Sequence, residues 1–176
     1  MTALIVTESL FGNTLAIAEA IGGGIAEVRG PRTVRVVHAS QAPAEVPADL
    51  DLLVVGAPTH LLSLPNAGSR HDAEGNGAPH AQPVGVSEWI ESVAIPAGLR
   101  VATFDTSIPA RAPLGTAAGA AARALRCRGA EPIVGPSFFV TGMEGPLADG
   151  ELGRATAWGR ELASALAPTP LASPTP

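Results

Sequence analysis

The reading turns on the stretch Ile5-Val6-Thr7-Glu8-Ser9-Leu10-Phe11-Gly12-Asn13-Thr14-Leu15-Ala16-Ile17-Ala18. The continuous apolar run from Ala3 to Val6 predicts a strand buried on both faces. Thr14, Ala18, Ile21 and Ile25 recur at helical spacing and predict a helix with that stripe turned inward. The glycines at 22–24 weaken its last turns, so its end is placed only loosely. Between strand and helix lie the hydroxyls of Ser9 and Thr14, the amide of Asn13, and Gly12 at the sharp turn. Backbone N–H groups at such a helix start are unpaired and form an anion site. Nothing in the turn is basic, so a phosphate there is neutralised by backbone dipoles and hydroxyl donors. That suits a monophosphate ester. The turn is not a Walker A loop, since no Gly-Lys-Ser/Thr follows. Nor is it a GxGxxG turn, because Gly22 to Gly24 fall inside the helix.

Outward from this unit, short apolar runs alternate with helical patterns. Val34–Val37, Leu52–Val55 and Val101–Phe104 read as strands two to four, the third followed by a Gly56-Ala57-Pro58 break. A fifth lies within Ile133–Val140, where Pro136 implies a bulge or an edge position. Ser87 is the expected cap of a short helix through Val93. Gly115–Arg128 is an Ala-rich helix closed by Gly129. Asp149 is the expected cap of a final helix with the inner stripe Leu152, Ala155, Gly159, Leu162 and Leu166. The crossover 41–50 holds two prolines and predicts only a short or irregular helix. Five β-runs separated by helices imply βαβ units and a doubly wound parallel sheet covered on both faces. One domain over residues 1–167 accounts for the chain, and the patternless 168–176 reads as a disordered tail.

Bulk properties narrow the function class. The net charge is −5, and the eleven basic residues are scattered arginines, which argues against a nucleic-acid partner. The single Cys127 excludes an intrachain disulfide and suits a reducing compartment. The N-terminus lacks a basic n-region, and no segment approaches the ~18 apolar residues of a membrane span. A soluble cytoplasmic protein without a membrane span is expected.

The stretch from Ile5 to Ala18 resembles the flavodoxin signature for the phosphate of flavin mononucleotide (FMN), with Ser9, Gly12, Thr14, Ala18 and Ile21 on matching positions. The resemblance implies a flavodoxin-like three-layer α/β fold with strand order 2-1-3-4-5 and FMN as cofactor. It also implies that Ser9, Asn13 and Thr14 contact the phosphate through side chains, and Leu10 and Phe11 through backbone N–H groups. Thr7 departs from the family's Tyr or Phe, and Phe11 stands where many members carry a hydroxyl. The competing reading is a bare strand–turn–helix connection.

Ligands of such sheets bind beyond the carboxyl ends of the strands, which directs attention to residues 7–13, 56–84 and 105–114. Pro58-Thr59-His60 is similar to the family's second flavin loop. There Thr59 would contact the ring or ribityl chain, and His60 takes the place of a stacking Trp, with a solvent-facing His60 as the equal alternative. In the third loop, Thr106 and Ser107 would donate backbone N–H groups to the flavin's pyrimidine edge; Asp105 reads as a turn former and Arg111 as a solvated loop cation. The family's Gly-x-Gly-Asp and stacking Tyr are missing, and the chain has no tyrosine at all. His60, His71 and His80 lack metal-ligand spacing. Trp89, Trp158 and Cys127 read as packing residues.

Two functions follow. One is an FMN-dependent redox protein, either an electron carrier or an oxidoreductase, acting with a redox partner protein or a small-molecule acceptor. The other is a binding module of the same fold without redox activity. A phosphate-accepting receiver domain is excluded, because strand three ends in Gly56-Ala57-Pro58 rather than Asp.

Overall fold

A computed structural model describes residues 2–109 and 115–165. Arg111, Leu166 and the tail 168–176, on which expectations are stated above, lie outside the described residues. The elements run β1 (Ala3–Thr7), α1 (Asn13–Arg29), β2 (Val34–His38), a 3-10 turn (Ala39–Gln41), β3 (Leu52–Pro58), α2 (Ala67–Gly75), α3 (Val86–Ser92), β4 (Arg100–Ser107), α4 (Ala117–Cys127), β5 (Ile133–Phe139) and α5 (Glu151–Ala165). All five strands are parallel in the order β2-β1-β3-β4-β5, the flavodoxin-like arrangement. The β2–β3 crossover contains only the 3-10 turn, as its prolines predict. At the edge strand β5 the register shifts between Thr103 and Asp105, opposite the segment carrying Pro136.

Successive strand residues point to opposite faces, so one sheet feeds two cores. On one side Leu4, Val6, Leu53 and Val55 pack with Trp89 and Ile90 of α3 and Ala121 and Leu125 of α4. On the other, Ile5, Val54, Phe104 and Phe138 meet Ile17, Ile21 and Ile25 of α1 and Ala155 and Ala163 of α5, with Trp158 partly buried beside them. Phe104, Phe138 and Trp158 form an aromatic cluster with ring centroids 6.1–6.3 Å apart. Phe104 fits only because Gly56 opposite it has no side chain to displace the ring.

Helix α1 runs through its three glycines to Arg29. Gly24 faces α5, and a methyl group there would fall on the Thr156 carbonyl, 2.9 Å from its carbon. The reciprocal methyl at Gly159 would lie 3.0 Å from the Ile21 carbonyl carbon and 3.2 Å from Gly24 Cα. The two helices therefore meet backbone to backbone.

Several expectations are corrected. Strands β3 and β4 continue past the apolar runs that announce them, because Ala57 and Pro58 pair with Asp105 and Thr106. Ser87 lies inside α3; Gly85 precedes the helix, and its N–H donates to the Glu88 carboxylate (3.0 Å). Gly150, not Asp149, precedes α5, whose buried stripe is Glu151, Ala155, Gly159 and Ala163, with Leu152 exposed. Cys127 is exposed rather than packed. Among the described residues no helix is long and apolar enough to cross a membrane.

Candidate functional site

At the carboxyl end of β1 the chain turns through Gly12, which holds φ 89°, a left-handed conformation that glycine adopts without steric cost. The first intrahelical bond of α1 runs from Ala16 N–H to the Gly12 carbonyl (3.0 Å), so the N–H groups of Asn13 and Thr14 precede the ladder. Ser9, though buried, is a cap: its Oγ accepts from Leu15 N–H (3.1 Å), which leaves its own O–H free to donate. Thr14 and Thr106, both buried, share one hydrogen bond between their hydroxyls (2.7 Å), tying α1 to the end of β4. One hydroxyl donates in that pair, so the other retains a proton for a ligand. The Asn13 amide donates to the Glu144 carbonyl (3.0 Å), joining the turn to the segment after β5.

These groups border a cavity of about 360 Å³, within the usual range for small-molecule sites. It opens beyond the β1–β3 junction, where the strand order reverses. Leu10, Phe11, Asn13 and Thr14 line one side. Pro58, Thr59 and His60 line another, and Thr106 with Ser107 a third. Ser9 and Gly12 do not line the cavity; they shape the turn behind it. Thr59 Oγ1 accepts from Ala117 N–H (2.9 Å), which fixes the second loop to the start of α4.

The remaining walls come from residues that sequence reasoning left unassigned. Ser69, Asp72 and Ala73 of α2 and Asn76 just after it face the cavity, as do Val140, Met143 and Glu144 after β5. The segment expected to be one long loop thus contains a helix. Its legible signal is the pair Asn66 and Ser69, in which each side chain accepts the other's backbone N–H (3.0 and 2.8 Å).

Helix α2 is tied to the first turn by charge. Arg70 Nη1 donates to Glu8 Oε1 (3.2 Å) and Nη2 to Glu88 Oε1 (2.5 Å); the side chains of Arg70 and Glu8 are 4% and 1% exposed. Glu8 Oε2 accepts from Val86 N–H (2.9 Å). Burial pushes the Glu8 carboxyl above its ordinary range, against the pull of Val86 N–H and Arg70. Burial also works to raise Glu88, but its bond to Arg70 prevails and holds it below that range. Both terminal nitrogens of Arg70 thereby have a carboxylate partner within the protein.

Asp105, expected in a turn, lies inside β4 and accepts from Ala118 N–H (3.2 Å) at the start of α4. Burial raises its carboxyl, although the nearby hydroxyls of Ser137, Thr116 and Thr59 offset part of this. Its Oδ1 has no hydrogen-bond partner among the described residues.

His60 and Ser63 exchange backbone hydrogen bonds (3.0 and 2.9 Å) around a two-residue turn. Both turn residues, Leu61 and Leu62, are left-handed, with φ 45° and 66°. Such backbone is costly for a branched side chain. Its effect is to hold Leu61 86% exposed at the cavity rim, alongside Ile108 (50%) and Met143 (79%). Replacing Leu61-Leu62 with Asn-Gly, which suits that turn, is expected to stabilise the fold by about 1–2 kcal/mol in urea unfolding. A loss of stability would show that leucine packing outweighs backbone strain.

No protein-family model matches the sequence, and no curated protein matches it. Solved structures do. An archaeal flavodoxin is 21% identical with TM-score 0.59, the match covering 94% of this chain and 99% of that one. A Streptococcus pneumoniae flavodoxin is 17% identical with TM-score 0.61, and flavodoxin 2 from Bacillus cereus 18% identical with TM-score 0.58, each over 94% of this chain and 99% of theirs. The chain has the flavodoxin-like fold.

Proposed function

We propose that this chain holds FMN in the cavity beyond β1 and β3 and works as a redox protein, serving a partner protein or reducing a small acceptor. The observation that carries this reading is the polarity of the cavity. Free N–H groups and hydroxyl protons gather at the start of α1, while Pro58, Leu61, Ile108, Val140 and Met143 offer an apolar wall. An amphipathic ligand with an anionic end and a flat apolar end matches that distribution. The fold shared with solved flavodoxins supports the same reading.

The donor set fits a phosphate monoester. The N–H groups of the turn and the free proton of the Thr14–Thr106 pair would hold it without a cation, with Ser9 fixing the turn from behind through Leu15 N–H. Asn13, anchored on Glu144, keeps the turn in place, and Thr59 does the same for the second loop. The apolar rim keeps water from the ring end. When bound, FMN supplies one- and two-electron transfer. Among the described lining residues the rings are Phe11 and His60, so other contacts to the flavin ring would be aliphatic.

FMN and riboflavin titrations followed by flavin fluorescence test the reading. FMN should bind more tightly than riboflavin, and Ser9→Ala with Thr14→Ala should weaken FMN by about thirtyfold while leaving riboflavin nearly unchanged. A protein that quenches neither flavin would leave the fold without this cofactor. It would favour the module without redox activity.

A further inference from the structure

The proposed phosphate cradle contains no cation. Among the described residues lining the cavity the charged ones are Asp72 and Glu144, both acidic, and Arg70 is occupied by Glu8 and Glu88. One side chain outside that lining stands over the turn itself. His80, on the segment between α2 and α3, donates its backbone N–H to the Leu10 carbonyl (3.2 Å). The same bond brings its imidazole over Gly12. A methyl group built on Gly12 would touch Cδ2 and Nε2 of His80, each at 3.9 Å. The imidazole is exposed and has no hydrogen bond to another side chain among the described residues. His80 is also near enough to His38, at the end of β2, to contribute to lowering that residue's basicity; burial is the larger cause, and Arg70 acts in the same direction.

Resting on the FMN reading above, we infer that His80 is a ligand of the phosphate end, closing over the 9–14 turn as a ring N–H donor contributed by the β3–α3 segment. The placement has a physical logic. A phosphate held by turn amides and hydroxyls is open to water on its outer side, and His80 is anchored beside Gly12 of that turn by a backbone bond that any residue but proline at position 80 would keep. A donor to a charged oxygen is also stronger than one to a neutral group. In this arrangement the long β3–α3 segment has two tasks. Helix α2 walls the cavity, and His80 covers the anion.

The experiment compares FMN and riboflavin affinities of the full chain with those of His80→Ala and His80→Gln, using flavin fluorescence quenching, with far-UV circular dichroism to verify folding. His80→Ala should weaken FMN by about tenfold and leave riboflavin unchanged, and His80→Gln, which retains an N–H donor, should recover part of the loss. Equal weakening of both flavins, or no change in FMN affinity, overturns the assignment while leaving the FMN reading intact. Wild-type protein that binds neither flavin overturns both.

Discussion

Replacing Arg70 with methionine is expected to destabilise the fold by about 3–5 kcal/mol in urea unfolding at pH 7, the usual cost of stranding a buried charge. Methionine fills much of the space, so the loss comes from Glu8, which is 1% exposed and would keep only the Val86 N–H as a partner. The sign of the pH dependence follows. Without Arg70 the Glu8 carboxyl rises further above its ordinary value, and the folded state then binds more protons than the unfolded one. Stability of the variant must therefore increase as the pH falls through the raised value. Glu88 adds to the contrast. Arg70 holds it low in the native protein, a contribution present at neutral pH that the variant lacks. The penalty of Arg70→Met should thus shrink at mildly acid pH. Glu8→Gln in the same chain should recover much of it at pH 7. A penalty under about 1 kcal/mol, or one that grows on acidification, would mean the buried pair is not what fastens α2 to the first turn.

The second large effect separates neighbouring glycines. Gly24→Ala and Gly159→Ala should each cost about 3 kcal/mol, because the added methyl meets the backbone of the opposite helix and no rotamer change can relieve it. Gly23→Ala should do the reverse. Gly23 is exposed on the far side of α1 with nothing within 4 Å of the added methyl, and alanine there should stabilise by about 1 kcal/mol through helix propensity alone. Thermal unfolding of the three variants checks this. Equal shifts of the same sign would show that intrinsic propensity, not the close crossing of α1 on α5, governs these positions.

The glycines also show where sequence reasoning reaches its limit. The unit from β1 through α1 was legible because its signals are local: an apolar run, a glycine where the turn needs φ above zero, and a helical stripe. Gly22 to Gly24 read as weakness, since nothing in the chain around them reveals that α5 lies against Gly24. The inner face of α5 is legible only in part for the same reason, with Ala155 and Gly159 of the expected stripe buried and Leu162 half-buried. Hydrophobicity selects Leu152, but a helix pressed on another backbone buries Ala155, Gly159 and Ala163. Helix α2 escaped notice because AGSRHDAEG has no apolar stripe; capping at Asn66 and the Arg70 ion pairs hold it instead. At the site, the segments flanking β1, β3 and β4 were readable from their place at strand ends. The walls from α2 and from 140–144 were not, being set by contacts across the fold such as Asn13 with Glu144.

The division of the interior into two cores gives the molecule a built-in pair of optical reporters. It contains two tryptophans and no tyrosine. Trp89 lies in the core under α3 and α4, its indole N–H donating to the Pro43 carbonyl (3.0 Å), while Trp158 lies on the opposite side with Phe104 and Phe138. Near-ultraviolet emission therefore comes from one indole per side of the sheet. Single-tryptophan forms made by Trp89→Phe or Trp158→Phe would follow each half separately, and coincident transitions would show that the sheet melts as one cooperative unit.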